Sequence, residues 1–283
     1  MIKKYLRILY RYIPDKLYLK ILYYKFLKKN LNLKNPKTFT EKLQWIKIYD
    51  RKPIYTKMVD KYEVREFISK KIGSQYLIPL IGVWEKYDQI NFSALPNQFV
   101  LKTTHDSGGV RICKDKKTFN YKEAELFLKN RLNTNYFYMT REWPYKNVKP
   151  RIICEKYMID DSLNELMDYK FFCFNGKVKF FKIDFDRFIN HKANYYDRNG
   201  NLLLFGEVVC PPDFNKKLNF PKSLNKMISL AEIISEDLYF LRVDFYEVNG
   251  QIYFGELTFF PDAGFGKFTD NNVDLEIGKL LKL

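Results

Sequence analysis

Hydrophobic residues recur at helical spacing in the first third of the chain and at strand-like spacing in most of the remainder. Helices are predicted in TFTEKLQWIKIYDRKP, MVDKYEVREFISKKIG, NYKEAELFLKNRL, SLNKMISLAEIISEDL and NNVDLEIGKLLKL, the first with Thr40 as its N-cap and the third with Asn120. Continuous apolar and aromatic runs predict strands at 98–102, 110–113, 150–158, 166–174 and 177–185, and a hairpin over 239–260. Helices followed by strands predict the α+β class.

The N-terminal segment, residues 1–34, interleaves Lys and Arg with Tyr, Leu and Ile and contains one acid, Asp15. Two interpretations fit this pattern equally well. Either a basic amphipathic helix within residues 1–29 lies on the anionic inner face of the cytoplasmic membrane, or a pair of surface helices packs on its own domain. Lys20 and Lys25 interrupt LYLKILYYKFL, so no membrane-spanning helix is expected. Since no signal-peptide cleavage pattern is present either, a cytoplasmic protein is expected.

Composition and charge narrow the range of partners. The 283 residues include 49 Lys and Arg against 33 Asp and Glu, a formal net charge of +16, which favours nucleotides, phosphates, nucleic acid or a lipid surface. Four widely spaced cysteines without a C-x-x-C motif are expected to be reduced core residues. Only His105 and His191 are available as imidazole ligands, so a zinc site rich in His or Cys is not expected.

The segment FVLKTTHDSGGVRIC combines a strand ending in Lys102 with a short loop of small and polar residues that returns directly into a second strand. Glycine lets the backbone approach an anion closely, exposed N–H groups bind phosphate oxygens, and a lysine adds positive charge. The segment lacks the G-x-x-x-x-G-K-[ST] pattern and no helix follows it, so it is not a P-loop. It fits either a phosphate-binding loop or an ordinary glycine-containing turn.

The hairpin YFLRVDFYEVNGQIYFGELTFF carries acidic and basic residues within two apolar strands. A two-residue loop, Asn249-Gly250, would place Asp244 and Glu256 on opposite faces. A three-residue loop, residues 248–250, with a left-handed bulge at its glycine, keeps one face apolar and is therefore predicted. Asp244 then faces Phe254 and has Glu256 as its diagonal neighbour. The polar face collects four side chains, which are Arg242, Asp244, Glu256 and Thr258.

Two carboxylates on one face require a cation, because without one they would repel each other and raise each other's pKa. Mg²⁺, a hard ion that prefers carboxylate and phosphate oxygens, is one solution. A salt-bridged face in which Arg242 neutralises one of the acids is the other.

Seven segments in this order resemble the TupA-like ATP-grasp family, which is named for a teichuronopeptide biosynthesis protein and is found in cell-surface polysaccharide clusters. They are NPKTFTEKLQWIKIYDRKP, VDKYEVREFI, IG followed by YLIPLIGVW, FVLKTTHDSGG, ICEKYM, DYKFFCFNGKVKF and LRVDFYEVNGQIYFGELTF. The resemblance implies an ATP-grasp fold in which antiparallel sheets clamp the nucleotide. The implied division is a basic helical segment (1–50), the N-terminal part of the ATP-grasp region (51–97), a subdomain with phosphate loop and hinge (98–165) and a subdomain with the metal-binding hairpin (166–283).

The resemblance also implies which residues bind ATP. Lys61 and Lys102 correspond to the two phosphate-contacting lysines, and Asp168 corresponds to a ribose contact. The phosphate-covering loop contains His105, Ser107, Gly108 and Gly109. The adenine-binding hinge contains Glu155, Lys156, Tyr157 and Met158.

The implied metal and catalytic residues lie mainly in the hairpin. Asp244 and Glu256 correspond to the Mg²⁺ ligands, and Thr258 occupies a third ligand position at which many ATP-grasp enzymes carry Asn. Three cations are the implied catalytic residues, which are Arg242 at the γ-phosphate, Lys102 and Lys170.

The implied reaction is ATP- and Mg²⁺-dependent ligation of a carboxylate to an amine through an acyl phosphate. The carboxylate is expected to belong to a cell-surface polysaccharide or its precursor, such as a uronic acid, and the amine to an amino acid or similar donor. The acceptor is expected near PDAG (261–264), together with Arg187 and His191. Two lysines, an arginine and a metal ion suit phosphoryl transfer, which depends on positioning and charge neutralisation.

Two functions of other classes remain open. A glycosyltransferase could use Asp184-x-Asp186 in IDFD to bind the metal of a sugar nucleotide. A basic nucleic-acid-binding protein would instead show salt-sensitive binding without dependence on ATP. Acids gathered on one sheet face argue against the second alternative, so no nucleic-acid partner is expected.

Overall fold

Two antiparallel sheets and eight α-helices form the part of the chain that the computed structural model describes, residues 10–160, 167–186, 189–270 and 272–283. The helices are α1 (Asp15–Leu27), α2 (Phe39–Tyr49), α3 (Ile54–Val59), α4 (Val64–Lys71), α5 (Tyr121–Leu132), α6 (Phe137–Thr140), α7 (Leu224–Ile234) and α8 (Val273–Leu280). The strands are β1 (Leu80–Trp84), β2 (Phe99–Thr103), β3 (Val110–Cys113), β4 (Ile152–Lys156), β5 (Asp168–Phe174), β6 (Lys177–Phe185), β7 (Lys192–Asp197), β8 (Leu202–Leu203), β9 (Phe240–Val248) and β10 (Gln251–Thr258).

The strands form a four-stranded sheet in the order β1-β4-β2-β3 and a six-stranded sheet in the order β10-β9-β5-β6-β7-β8. The α+β prediction is confirmed, and each predicted strand corresponds to an observed one. The sequence patterns do not predict β1, β7 and β8, because Gly82 interrupts the first, polar residues surround the tyrosines of the second and the third has only two residues.

The main hydrophobic core lies between helix α7 and one face of the six-stranded sheet. Phe171, Phe181, Val243 and Phe245 on this face are all 0% exposed. The Cys173 thiol of β5 donates to the Ala231 carbonyl of α7 at 3.7 Å. Because side chains alternate along a strand, the residues between these positions point to the opposite face of the sheet.

Helix α1 packs on the rest of the protein through Tyr18, Leu19, Leu22 and Tyr23, which are buried. The interpretation of a helix packed on its own domain therefore describes this face of α1, while residues 1–9 lie outside the described residues. Across the described ranges, no helix is long and apolar enough to cross a membrane.

Helix α2 is capped by Thr38 rather than by the predicted Thr40. The Thr38 hydroxyl accepts from the Glu41 N–H, and the Glu41 carboxylate accepts from the Thr38 N–H. Thr40 is inside the helix, where its N–H and hydroxyl donate to the Asp274 carboxylate at 2.9 and 2.7 Å. The prediction of Thr40 is wrong because this distant partner, and not a helix terminus, satisfies its side chain. These bonds fasten α8 to the start of α2.

Two side chains of α2 hold the turn that follows β10, residues 261–264. Gln44 Nε2 donates to the Gly264 carbonyl at 2.7 Å, and Lys47 Nζ donates to the Ala263 carbonyl at 2.6 Å. Both side chains are 0% exposed. Helix α2 therefore fixes the backbone just beyond the last strand of the large sheet.

The hairpin of β9 and β10 has a two-residue turn, Asn249-Gly250, with φ of 50° and 79°. Val248 and Gln251 face each other across it. Two successive left-handed residues form the primed turn that matches the twist of a hairpin. The predicted three-residue loop is therefore wrong.

Asp244 and Glu256 nevertheless lie on one face of the hairpin, because β10 has a bulge at Gly255. Phe254 faces Phe245, whereas Glu256 faces Asp244, so Gly255 is an extra residue on β10. The predicted pairing of Asp244 with Phe254 is wrong, and Glu256 is a direct rather than a diagonal neighbour of Asp244. Their common face, however, is the predicted one.

Replacing Gly255 with Ala tests the bulge. A Cβ at this position would lie 2.9 Å from the Tyr246 ring and 3.1 Å from the Asp244 carbonyl oxygen, so the ring or the bulge must shift. We expect Gly255→Ala to lower the free energy of unfolding, measured in urea, by about 1–3 kcal/mol. Gly250→Asn is the control, since Asn tolerates the left-handed conformation and nothing lies within 4 Å of a Cβ there. Wild-type stability of Gly255→Ala would show that the bulge tolerates a side chain.

The buried Lys47 predicts a pH dependence of stability. Burial lowers the pKa of its ammonium from 10.5 to about 7, and the buried Glu142 carboxylate opposes this shift only in part. Between these two values the unfolded chain binds a proton that the folded protein does not, so the free energy of unfolding rises with pH. We expect the wild type to gain stability relative to Lys47→Met between about pH 7.5 and about pH 9.5 in urea denaturation. A constant difference between the two proteins would mean that folded Lys47 keeps its proton.

Candidate active site

A row of charged side chains crosses the six-stranded sheet on the face opposite α7. The residues that face each other in successive strands are Glu256 in β10, Asp244 in β9, Lys170 in β5, Lys182 in β6 and Tyr195 in β7. Asp244, Lys170 and Lys182 are 1%, 6% and 7% exposed. Buried charges are stable only when they are paired, so each of them needs a partner.

Arg242 lies between the two facing acids of the hairpin. Its Nε and Nη2 each donate to an Asp244 carboxylate oxygen at 2.7 Å, and Nη2 also donates to Glu256 Oε1 at 3.0 Å. Burial alone would raise the pKa of Asp244, but Arg242 and Lys170 outweigh it and hold the pKa below its ordinary value. The salt-bridged arrangement, one of the two alternatives for these acids, is therefore present, and Arg242 contacts both of them.

The donor set of the hairpin also fits a divalent cation. Asp244 Oδ2 and Glu256 Oε1 converge on one guanidinium nitrogen, so two carboxylates meet at a single positive centre. The Asp244 side chain is 2% exposed and the Glu256 side chain is 47% exposed, so one donor is fixed within the sheet and the other is open to solvent. The Thr258 hydroxyl lies 3.4 Å from Glu256 Oε1. The structure thus brings together all three predicted ligands, whose oxygens suit Mg²⁺.

The glycine loop between β2 and β3, residues 104–109, has a fixed shape. The Thr103 N–H donates to the Gly109 carbonyl at 2.8 Å. A Cβ on Gly109 would lie 1.7 Å from the Thr103 hydroxyl, so only glycine fits there. The Asp106 carboxylate forms an ion pair with Arg131 of α5 at 2.6 Å. The loop is therefore tied both to itself and to the neighbouring helix.

The other predicted residues of this loop differ in exposure. His105 is 2% exposed, and its Nε2 lies 3.0 Å from the Arg131 carbonyl oxygen. Burial lowers the pKa of His105, which favours the neutral imidazole. Ser107 and Gly108 are exposed, and Gly108 has a φ of 79°. The loop therefore presents Ser107 and Gly108 at the surface, with His105 packed beneath them.

Lys61 is bonded to the glycine loop and lies close to one of the hairpin acids. Its Nζ donates to the Asp106 carbonyl, and its N–H donates to the Thr104 carbonyl at 3.1 Å. Burial lowers the pKa of Lys61, while the nearby Glu256 and Asp106 carboxylates oppose that shift. Lys61, the glycine loop and the hairpin therefore converge on one region.

Lys102 and Glu155 form an ion pair between adjacent strands of the smaller sheet. The Nζ to Oε2 distance is 2.6 Å, and Arg65 Nη1 lies 3.1 Å from the other carboxylate oxygen. Glu155 is 7% exposed, whereas residues 156–158 are half-buried or exposed at the end of β4. Lys102, the predicted second phosphate-contacting lysine, is thus paired with the first residue of the predicted hinge.

Lys170 belongs to the charged row, and Asp168 lies two residues before it on the same face of β5. Lys170 Nζ contacts Asp168 and lies 3.3 Å from Asp184 and 3.4 Å from Asp244. Desolvation would lower the pKa of Lys170, but the three carboxylates raise it well above its ordinary value. Lys170 therefore stays charged and neutralises acids of three strands, and Asp168, at 3% exposure, is held within the sheet.

Asp184 and Asp186 have separate surroundings. Asp184 is 3% exposed and lies 3.3 Å from Lys170 and 3.6 Å from Lys182. Asp186 follows β6 with a φ of 52° and forms an ion pair with Lys216 at 3.3 Å. The two carboxylates of the D-x-D pattern are thus already neutralised by different lysines.

His191, expected near the acceptor, lies beside Asp184 with its Nε2 at 3.7 Å from the carboxylate. Ligand atoms of Asp184, His191 and Cys210 are within 4.8 Å of one another, a spacing that a metal ion could bridge. Lys170 and Lys182 place two ammonium groups next to the same carboxylate, which disfavours a further cation. Arg187 lies outside the described residues.

The sequence-based site lacks the Lys182–Glu207 pair. Lys182 Nζ forms an ion pair with Glu207 at 2.8 Å, and Glu207 is 5% exposed. A lysine within the apolar run FFKIDF is the local signal that could have identified this pair. Asp262 is predicted only as part of the acceptor segment PDAG, because no local sequence pattern singles out its carboxylate within that segment.

Comparison with known proteins covers most of the chain. The TupA-like ATPgrasp family profile matches residues 41–282, and no curated protein matches the chain. Among solved structures, D-alanine–D-alanine ligase from Helicobacter pylori is similar at 15% identity over 88% of this chain and 70% of that chain, with a TM-score of 0.43.

Two further solved structures are also similar to this chain. D-alanine–D-alanine ligase from Bacillus anthracis complexed with ATP has 18% identity over 72% of this chain and 55% of that chain, with a TM-score of 0.41. Phosphoribosylamine–glycine ligase from Thermotoga maritima has 12% identity over 72% of this chain and 48% of that chain, with a TM-score of 0.40. The chain thus spans about half the length of these two ligases.

The family match includes every structural part of the site. The glycine loop, Lys61, the charged row and the bulged hairpin all fall within residues 41–282. The resemblance inferred from the seven sequence segments is confirmed. The chain belongs to the TupA-like ATPgrasp family.

Proposed function

We propose that the protein is an ATP- and Mg²⁺-dependent ligase that joins a carboxylate to an amine through an acyl phosphate. The observation that carries this proposal is the convergence of Asp244 and Glu256 on one positive centre, with Lys61 and the glycine loop close to Glu256. Paired carboxylates beside several cations suit the transfer of a phosphoryl group, whose charge must be neutralised.

In this proposal, ATP lies between the two sheets. Adenine contacts the hinge at residues 155–158, and Asp168 lies on the ribose side. Lys61 and Lys102 contact the phosphates, and the backbone N–H groups of residues 105–109 cover them. The Lys102–Glu155 pair supports this arrangement, because it places the second lysine next to the hinge.

The chemistry that we propose begins at the γ-phosphate. The substrate carboxylate attacks the γ-phosphorus, the bond to the β-phosphate oxygen breaks, and ADP leaves with the electron pair. The amine then displaces phosphate from the acyl carbon. Arg242 and Lys170 hold Asp244 ionised and balance the developing charge. Asp244, Glu256 and Thr258 would hold Mg²⁺, which supplies Lewis-acid neutralisation of phosphate oxygens.

We further propose a uronic-acid carboxylate of a cell-surface polysaccharide or its precursor as one substrate, and an amino acid or similar amine as the other. The family is named for a teichuronopeptide biosynthesis protein, which supports this pairing. ADP release across a panel of uronic acids and amino acids tests it. If no pair stimulates ATP turnover while UDP-sugars are consumed, the glycosyltransferase alternative replaces the ligase.

Membrane attachment through α1 is a second part of the proposal. Leu17, Ile21 and Tyr24 are 52%, 50% and 58% exposed and lie on one stripe of the helix with the exposed Lys20. Lys28, which is also exposed, follows the last residue of the helix. We call these five residues the α1 outer face. Apolar side chains flanked by lysines complement an anionic lipid surface. We therefore propose peripheral contact with the inner face of the cytoplasmic membrane.

Neutralising the hairpin acids tests the metal platform. We expect Asp244→Asn and Glu256→Gln each to lower Mg²⁺-dependent ADP release on the order of 100-fold or more, because a ligand carboxylate is lost. Asp186→Asn is the control, since Asp186 pairs only with Lys216 among the described residues. A loss confined to Asp186→Asn would favour the glycosyltransferase instead. Circular dichroism shows whether each variant is folded.

Charge reversal on the α1 outer face tests membrane contact. We expect Lys20→Glu/Lys28→Glu to weaken binding to phosphatidylglycerol vesicles at least about tenfold, since each lysine contributes about 1 kcal/mol near such a surface. Lys217→Glu/Lys222→Glu, exposed elsewhere, makes the same change in net charge and should bind almost normally. Deleting residues 1–29 is a poorer test, because Leu19 and Tyr23 are core residues. Equal losses in both double variants would indicate a non-specific effect of net charge.

A further inference from the structure

The turn after β10 holds three successive residues in the left-handed conformation. The φ values are 48° at Asp262, 52° at Ala263 and 69° at Gly264. This conformation is unfavourable for residues that carry a Cβ. It persists only where the surrounding structure enforces it, and such enforced positions cluster at ligand sites.

Helix α2 supplies the restraint. Gln44 and Lys47 donate to the carbonyls of Gly264 and Ala263, and both donors are 0% exposed. A Cβ on Gly264 would lie 2.5 Å from Gln44 Nε2, so the backbone and the amide fit closely. Two buried donors therefore hold the backbone of the turn, while Asp262 is exposed.

The Asp262 carboxylate has no partner in the charged row. Lys182 donates to Glu207, and Arg242 donates to the hairpin acids. Among the residues that the structure describes, the Asp262 carboxylate has no hydrogen bond and no ion pair. Desolvation and the Glu207 carboxylate raise the pKa of Asp262, while Lys182 and Arg242 oppose that shift.

We propose that Asp262 binds the ammonium group of the amine substrate and accepts its proton, an assignment that rests on the proposed ligase function. Lys182 and Arg242 are already paired with Glu207 and the hairpin acids, so they do not neutralise the Asp262 carboxylate, which favours a cation. The amine would therefore bind at the turn that follows β10, four residues beyond Thr258. The rigid turn keeps the carboxylate in position, which reduces the entropy lost when the amine binds.

Amide formation requires no other base from the protein in this arrangement. The ammonium gives one proton to the Asp262 carboxylate, and the freed nitrogen lone pair forms the C–N bond to the acyl carbon. The C–O bond to phosphate breaks, and phosphate leaves with the electron pair and takes a second proton from nitrogen. The products are the amide, hydrogen phosphate and a protonated Asp262 that returns its proton to water.

Asp262→Asn tests the assignment in the full chain, because Asn keeps the size of the side chain and tolerates the left-handed conformation. We expect the KM for the amine to rise on the order of 10- to 100-fold, the effect of losing a hydrogen bond between charged groups. Hydroxylamine, which is uncharged at neutral pH, traps the acyl phosphate as a hydroxamate. Its rate with the variant should stay within about twofold of wild type, because no cation must be bound.

Asp237→Asn is the matched control. Asp237 is also exposed and left-handed, with a φ of 62°, but lies in the turn before β9. Both readouts should match the wild type for this control. An unchanged KM for the amine in Asp262→Asn, or equal losses with amine and hydroxylamine, would overturn the assignment. Absence of hydroxamate from the wild type with every uronic acid would overturn the ligase function and, with it, the assignment.

Discussion

Each buried charge in the six-stranded sheet depends on a neighbour of the opposite sign. Removing one partner of such a pair leaves an uncompensated charge and is strongly destabilising. Lys170 contacts Asp168, Asp184 and Asp244, so it is shared by three strands. Strand register and charge pairing are therefore one constraint, since a slip of one residue would turn these side chains into the apolar core.

The bulge at Gly255 satisfies this constraint at the edge of the sheet. It lets a tight turn of two residues coexist with the pairing of Asp244 and Glu256. Glu256 then lies near Lys61, which is bonded to the glycine loop. A single extra residue in β10 thus brings Glu256 of the large sheet close to the lysine that is bonded to the loop of the smaller sheet. The candidate site is assembled around these residues.

Residue types and local patterns predicted much of this structure. Continuous apolar runs predicted the positions of most strands, and apolar alternation predicted the common face of Asp244 and Glu256. The bulge that produces this common face was not predicted, because Gly255 has no turn signature. The capping box T-x-x-E at Thr38 was available in the sequence and identifies the true start of α2. Lys47 had no such signal, since its burial depends on carbonyls of Thr140 and Ala263, 93 and 216 residues away.

The bonds between Thr40 and Asp274 join residues that are 234 positions apart. Ribosomal synthesis is slow relative to helix formation, so α2 exists long before α8 leaves the ribosome. During that interval Phe39, Leu43 and Ile46, all core residues of the finished protein, lack part of their packing. Contacts of this sequence separation slow folding. The nascent chain is therefore expected to expose an apolar helix until α8 is made, which makes it a substrate for chaperones.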